Sequence, residues 1–182
     1  SNGYLVVNFD DDNIRDLKID HKQVLTYGIH SKADIVAKNI TYSDMGFPTF
    51  DVYFHDDFFD SFTLGVLGNH NILNALATIL MCMNYSIDKK YIKKALKEFG
   101  GVGRRFEYLG EYHGAHIFDD FAHHPTEIEA TYHSSESIKH NETWAVFQSH
   151  TYSRTYEHLK EFAEVLSKFD HVIISDIYPA RE

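Results

Sequence analysis

The chain has 182 residues, of which 43% are apolar and 15% aromatic, so it can bury a packed core in one domain or two small ones. A formal net charge of -10 and a pI near 5.6, with no basic patch, exclude a general nucleic-acid or anionic-membrane surface while leaving room for a local site that holds one anion. Its lone cysteine, Cys82, lies in an apolar helical run, which excludes a disulfide framework or thiolate metal cluster and fits a reducing compartment.

Residues 4–7 predict a strand, Asp10-Asp11-Asp12 the cap of a short helix through Leu17, and residues 24–28 a second strand, a β-α-β rhythm. Ser1-Asn2 ahead of them reads as a remnant of tag removal, and no signal peptide or membrane-spanning apolar run is present in the sequence. Residues 35–40, 49–54 and 58–66 alternate apolar and polar positions around the turns Gly46-Phe47-Pro48 and Asp56-Asp57. Asp56, Asp57 and Asp60 there read as solvated turns and edges. Gly68-Asn69-His70-Asn71 introduces a helix from Ile72 to about Met83 that is apolar on nearly all faces and must be buried. Residues 88–99 predict a second helix with Ile87, Tyr91, Ile92, Ala95, Leu96 and Phe99 on one side. Lys89, Lys90, Lys93, Lys94 and Lys97 form a solvated face on the other.

Gly100-Gly101-Val102-Gly103 stops that helix and is the best domain boundary, dividing the chain into residues 1–100 and 101–182. After it come strands at 106–111 and 115–118 joined at His113-Gly114, a helix at 126–138, a strand at 144–148, a helix at 155–168 and a strand at 171–175. Alternation of this kind predicts an α/β fold with a parallel, doubly wound sheet. Residues 176–182 follow without a closing helix, which reads as truncation of that sheet.

The chemistry gathers at Asp119-Asp120-Phe121-Ala122-His123-His124-Pro125-Thr126-Glu127, a loop at the carboxyl end of a strand and above a helix N-terminus, where open α/β sheets keep their ligands. Pro125 suits the first helical position, and Thr126 with Glu129 has the spacing of a capping box. For His123 and His124, metal ligation, acid–base work and positioning of substrate or loop all remain open, although adjacent histidines diverge and seldom share one ion. Asn71 and Asn74 share a helix face and offer the donor and acceptor that read an adenine edge, with an N-cap at Asn69 or Asn71 as the plainer alternative. Arg104 and Arg105 stand at the glycine boundary, where a guanidinium can grip phosphate or form a surface ion pair. His150, Tyr152, Ser153 and Arg154 follow another strand, with Ser153 or Thr155 as a candidate cap. A cation such as Arg154 opposes the helix dipole there, which favours an anion-binding role.

In family order, Gly68-Asn69-His70-Asn71-Ile72-Leu73-Asn74-Ala75, Gly103-Arg104-Arg105-Phe106-Glu107, the Asp119 to Glu127 motif and Gln148-Ser149-His150-Thr151-Tyr152-Ser153-Arg154-Thr155 resemble the Mur ligases of peptidoglycan synthesis. The resemblance covers almost the whole chain. It implies the later part of a central ATPase domain at 1–100 and a truncated Rossmann-like C-terminal domain at 101–182. The reaction it implies is ATP-dependent amide synthesis: ATP phosphorylates a muramoyl carboxylate, and an amine attacks the acyl phosphate through a tetrahedral intermediate. The loop His150 to Thr155 favours the branch that joins L-alanine to UDP-N-acetylmuramate over the branch that attaches a recycled tripeptide, which shares the Asp-Asp-Phe-Ala-His-His-Pro loop.

By position, the resemblance puts Asn71 and Asn74 at adenine with His70 beside them, Arg105 at the ATP phosphates or ribose, and Asp119 or Asp120 at the ribose. His123, His124, His150 and Arg154 face the amino-acid and acyl-phosphate side, and Arg105, His123 and Arg154 are the implied catalytic residues. ATP and Mg2+ are the implied cofactors, with the magnesium-binding Glu and His upstream of Ser1 and no metal ligands in this chain. A bacterial cytoplasmic setting, with no nucleic-acid or membrane partner, is implied as well. Two departures stand out: no G-x-x-x-x-G-K-[ST] phosphate loop occurs, and Asn69 stands where relatives often have Arg. A fragment without turnover of its own is therefore expected, and a Rossmann-like module that merely holds a nucleotide is the alternative from another class.

Overall fold

In the computed structural model, which describes residues 3–182, the chain divides into two units, Ser1–Gly100 and Gly101–Glu182. The tag reading at Ser1-Asn2 lies outside the described residues.

The first unit is built on a mixed sheet of β1 (Leu5–Asn8), β2 (Val24–Gly28), β3 (Ile35–Tyr42), β4 (Pro48–Phe54) and β5 (Asp57–Thr63), in that spatial order. β1, β2 and β3 run parallel, and β3, β4 and β5 are antiparallel neighbours. Period-two alternation points Ile35 and Ala37, Phe50 and Val52, and Phe62 and Leu64 into one core. Helix α2 (Asn69–Asn84) covers them with Ile72, Ala75, Leu76, Ile79 and Leu80, a stripe at the i, i+3, i+4, i+7, i+8 spacing. Burying each of the Ile and Leu side chains contributes about 1.5–3 kcal/mol. The helix is therefore buried along one stripe rather than on all faces.

The short helix α1 (Asp12–Arg15) is capped by Asp11, which accepts from the amides of Asn13 and Ile14, and it ends before Leu17, which is 60% exposed. Asp10 takes no part in the cap. Its carboxylate accepts from the amides of Ile29 (2.7 Å) and Ser31 (2.7 Å) and so ties the loop after β1 to the loop after β2.

Helix α3 (Lys89–Glu98) departs from the expected two-sided pattern. Only Ile92 is buried, while Tyr91 is 61% exposed. The reason is Asp60, which is no solvated edge: Lys93 Nζ reaches it at 2.8 Å and Lys89 Nζ at 3.2 Å, so lysine stems cover sheet surface the apolar side was expected to cover. Hydrogen bonding from Lys93 is the main reason the Asp60 carboxyl lies below its usual range.

In the second unit β6 (Glu107–Tyr112) and β7 (Ala115–Asp119) form an antiparallel hairpin. Its two-residue turn has positive φ at both His113 (50°) and Gly114 (86°), the type I′ geometry that matches strand twist. Helix α4 (Pro125–Glu136), strand β8 (Trp144–Phe147), helices α5 (Tyr152–Glu157) and α6 (Leu159–Leu166) and strand β9 (His171–Ile174) follow. β8 and β9 pair in parallel across the α5–α6 crossover. The helix expected at 155–168 begins earlier and breaks at His158, whose backbone leaves the helical region while its ring packs edge-on against His124 at 4.8 Å. The expected doubly wound sheet is realised only in part: among the described residues the β6–β7 hairpin stays a separate two-stranded sheet. Ile128, Phe162, Val165 and Leu166 form the core between α4, α6 and the parallel pair.

Candidate functional site

The sequence-derived candidates fall into one group in each unit. In the first, α2 starts three residues before Ile72 because Gly68, at φ 90°, turns the chain into it from a backbone region that side chains rarely adopt. Neither Asn69 nor Asn71 caps the helix, contrary to the N-cap alternative. Asn69 accepts from the Tyr42 hydroxyl, and Asn71 Nδ2 donates to the Leu67 carbonyl at 2.7 Å. A carbonyl can only accept, so this bond fixes the sense of the Asn71 amide. Asn74 Nδ2 then donates to Asn71 Oδ1 at 3.1 Å. Asn74 is exposed, with its Oδ1 and second N–H left as an adjacent acceptor and donor. His70 is exposed in the same first turn.

In the second unit the segment entering β6 is strapped to the Asp119–Glu127 motif. Arg104, at φ 59°, accepts from the Phe121 amide through its carbonyl (2.8 Å), donates from Nε to Asp119 Oδ2 (3.1 Å), and lays its guanidinium 4.9 Å from the Phe121 ring centroid. Arg105 beside it is exposed, and no ion pair engages it among the described residues.

The two aspartates have different work. Asp120 Oδ1 accepts from the Ala122 amide at 2.8 Å, and its Oδ2 accepts from the Phe106 amide at 3.0 Å and the Thr131 hydroxyl at 2.9 Å. This carboxylate is occupied with holding β6, the loop and α4 together. Asp119 ends β7 with a side chain 38% exposed, paired only with Arg104 on one oxygen among the described residues.

The two histidines diverge, as adjacent residues should, and carry opposite tautomers by their hydrogen bonds. His124 is the N-cap of α4: its Nδ1 accepts from the Thr126 amide at 3.3 Å, which places the neutral ring's proton on Nε2. His123 Nδ1 lies 2.8 Å from the Phe121 carbonyl, so that nitrogen donates and Nε2 is left as the acceptor. The capping box is His124 with Glu127, not Thr126 with Glu129, because Pro125 takes the first helical position. Glu127 Oε2 accepts from the His123 amide (2.9 Å) and the His124 amide (3.2 Å) and lies 3.5 Å from His123 Nδ1. Burial pushes the Glu127 carboxyl up, but those amides and imidazoles outweigh it and hold it below its usual range. Glu129 is drawn instead to Lys168 and His133.

The loop after β8 approaches this motif, with the rings of His123 and His150 6.1 Å apart. Thr151 caps α5, accepting from the Arg154 amide at 3.4 Å, so the cap is neither Ser153 nor Thr155. It does so at φ 70°, a strained conformation for a β-branched residue. Here His150 Nδ1 and Arg154 Nη1 are buried without a hydrogen-bond partner among the described residues. A buried guanidinium N–H with no acceptor costs about 1–3 kcal/mol, so such an atom calls for an external acceptor. His150 and Arg154 thus supply an imidazole and a cation suited to an anion, with the acceptor nitrogen of His123 on the ring beside His150. Among the described residues no group of three His, Cys, Asp or Glu side chains is arranged to hold a metal ion.

Sequence reading missed Glu127, Arg104, Thr131 and Thr151 as the residues that orient the candidates. Glu127 was within reach, since the capping-box spacing also counts back from it to His124. Thr151 also acts locally, on the Arg154 amide three residues on, whereas Arg104 and Thr131 act through contacts 15 and 11 residues away with no local signature.

Comparison with known families matches the Mur ligase middle domain over residues 1–82 and the glutamate ligase domain of Mur ligases over residues 104–182. A UDP-N-acetylmuramate--L-alanine ligase of Alkaliphilus metalliredigens is 45% identical over 99% of this chain and 39% of its own length. One from Caldanaerobacter subterraneus is 43% identical over 100% of this chain and 40% of its own length. The chain thus spans about two fifths of the length of these relatives. Among solved structures, the UDP-N-acetylmuramate-alanine ligase of Thermotoga maritima superposes with a TM-score of 0.73 at 29% identity, covering 85% of this chain and 34% of that one. A MurF ligase of the same organism, solved with ADP, shares the fold with a TM-score of 0.74 at 21% identity, covering 95% of this chain and 40% of that one.

Proposed function

The chain belongs to the Mur ligase family, and on that premise we propose that it is part of an enzyme that joins L-alanine to UDP-N-acetylmuramate with hydrolysis of ATP. Residues 1–100 are read as the later part of the ATP-binding central domain and residues 101–182 as C-terminal domain. The γ-phosphoryl group passes to the muramoyl carboxylate, the amine attacks the acyl carbon, and phosphate leaves as the amide forms.

The observation that carries this reading is the pair of buried, unpartnered nitrogens on His150 and Arg154. In the proposed reaction they meet the acyl phosphate, and Arg154 stabilises the oxyanion that develops in the tetrahedral intermediate. His123, with its proton held on Nδ1 by the Phe121 carbonyl, offers Nε2 to the proton the incoming ammonium must lose. His124, whose Nδ1 is committed to the α4 cap, lines the same side through its ring. In the first unit Asn74 and Asn71, with His70 beside them, are the candidates to read adenine. In the second unit, taken by itself, the half-exposed Asp119 is a better candidate for a ribose than the occupied Asp120, and Arg105 is the candidate for phosphate or ribose.

Magnesium, when bound, would offset the charge on the transferred phosphoryl group. Its ligands are proposed, on the family resemblance alone, to lie on segments outside this chain. No helix among the described residues is long and apolar enough to cross a membrane. A setting in the bacterial cytoplasm is proposed on the family resemblance. The chain alone, without a phosphate loop, is expected to release no phosphate in the presence of L-alanine.

Single-turnover kinetics test the reading in a protein extended to the relatives' full length. Arg154→Ala should slow amide formation about 100- to 1,000-fold, the cost of removing one oxyanion donor. An unchanged rate would take Arg154 out of the site and remove the main support for the assignment.

A further inference from the structure

Residues 176–182 form no regular element, yet they run beside the loop that carries His150 and Arg154 and are pinned to it repeatedly. Gln148 Nε2 donates to the Asp176 carbonyl at 3.1 Å, the Tyr178 amide to the Ser149 carbonyl at 2.9 Å, and the Thr151 amide to the Tyr178 carbonyl at 2.8 Å. His150 and Tyr178 form an isolated parallel bridge, with their rings 5.4 Å apart. A turn closed by the Glu182 amide on the Pro179 carbonyl, 3.1 Å, brings the chain back on itself. Glu182 Oε2 then accepts from the amides of Tyr152 (2.7 Å) and Ser153 (3.1 Å), and Oε1 accepts from the Ser153 hydroxyl.

Those amides open α5 and have no partner inside the helix, just as Thr151 serves the Arg154 amide one position on. With Glu182 and Thr151 in place, the first turn of α5 is fixed. Thr151 is held at its strained φ of 70° by bonds on both sides of it. The carboxylate also offsets the unfavourable position of the Arg154 charge near a helix start. It does so without bonding to that side chain, because Arg154 Nη1 still lacks a partner. Hydrogen bonding from the Ser153 hydroxyl is the main reason the Glu182 carboxyl lies below its usual range, so the group is charged at neutral pH.

We infer that Glu182 is a positioning residue of the ligase reaction: it locks the start of α5 so that Arg154 and His150 stand ready, and unsatisfied, for the acyl phosphate. This inference rests on the function proposed above. Glu182 does not touch the reacting atoms. It acts through Tyr152, Ser153 and the loop they anchor.

Two measurements separate it from that function. In the 182-residue chain, amide hydrogen exchange should show Tyr152 and Ser153 protected, with protection lost in Glu182→Ala and kept in Glu182→Gln, whose amide oxygen can still accept. In the full-length ligase, Glu182→Ala should lower kcat about 10- to 100-fold, the scale of a small misplacement of a catalytic group, with KM for ATP unchanged and with Glu182→Gln restoring most of the rate. Ser153→Ala, which removes one arm of the clasp, should fall between. If Arg154→Ala lowers turnover while Glu182→Ala does not, the positioning role is overturned and the proposed function stands. If Arg154→Ala is without effect the proposed function fails, and Glu182, with nothing to position, loses its role as well.

Discussion

Replacing Asp120 by alanine should destabilise the second unit far more than replacing Asp119, although the two are adjacent acids in one motif. Asp120→Ala strands the Phe106 and Ala122 amides, which donate to it at 3.0 and 2.8 Å, while Thr131 keeps an alternative acceptor in the Glu127 carbonyl at 3.1 Å. At about 1–1.5 kcal/mol for each partly buried donor left without a partner, the loss is about 2–3 kcal/mol. Asp119→Ala breaks only an exposed pair with Arg104, worth about 0.5 kcal/mol after solvent screening. Urea unfolding followed by the fluorescence of Trp144, the only tryptophan and a residue of β8, reports on the right unit. A small domain is stabilised by only about 0.05–0.15 kcal/mol per residue, so the difference is easily resolved. Equal losses in the two variants, or an Asp120→Ala loss below about 0.5 kcal/mol, would refute the division of labour between the acids. It would also remove the reason for preferring Asp119 at the ribose.

In the first unit, the Asp10 carboxyl is pushed up by burial but held below its usual value by the amides of Ile29, Ser31 and His30, which outweigh it. A folded pKa below the unfolded one, about 3.9, gives stability that is present above that value and lost as pH falls through the folded pKa. Thermal melts followed by circular dichroism should therefore weaken below about pH 4, and Asp10→Asn should reduce that dependence; an identical acid profile in the variant would contradict it. Gly65→Ala should cost about 1–3 kcal/mol or more, because a Cβ there would overlap the backbone carbonyl of Lys97 and meet that of Phe99 at 2.7 Å. Calorimetry showing an unchanged melting temperature would mean that the end of α3 yields easily. Leu76→Ala, at a fully buried position under the sheet, should cost about 2.7–5 kcal/mol by denaturant titration, and a loss under 1 kcal/mol would place Leu76 outside the core.

Local pattern was enough to find most of the elements. The strand at Val24–Gly28 agrees residue for residue, because a short run rich in apolar and β-branched residues between the polar His21-Lys22-Gln23 and Gly28 leaves little choice of bounds. Where reading failed, a distant partner decided the outcome. The broad apolar side predicted for α3 ignored Asp60, an acid on another strand that draws Lys89 and Lys93 across the sheet edge. The break at His158 carries no Gly or Pro signal and coincides with packing against His124. At the site, residue types at strand ends pointed to two loops that the structure brings near each other, but roles within them were not legible. Asp119 and Asp120 look alike in sequence, and only the contacts with Arg104 on one side and with Phe106, Ala122 and Thr131 on the other distinguish them. The bonds of residues 176–182 to the loop after β8 were also illegible, since they join residues far apart in the chain, such as Tyr152 and Glu182.

In the proposed function this chain serves an enzyme that couples ATP to the joining of L-alanine and UDP-N-acetylmuramate. The most direct test is phosphate release by the protein extended to its relatives' full length, assayed with each substrate omitted in turn and with a muramyl-type tripeptide in place of L-alanine. Release is expected only when ATP, UDP-N-acetylmuramate and L-alanine are all present, and it should be lost on Arg154→Ala. Release that proceeds with the tripeptide but not with L-alanine, or that ignores the nucleotide sugar, would contradict it.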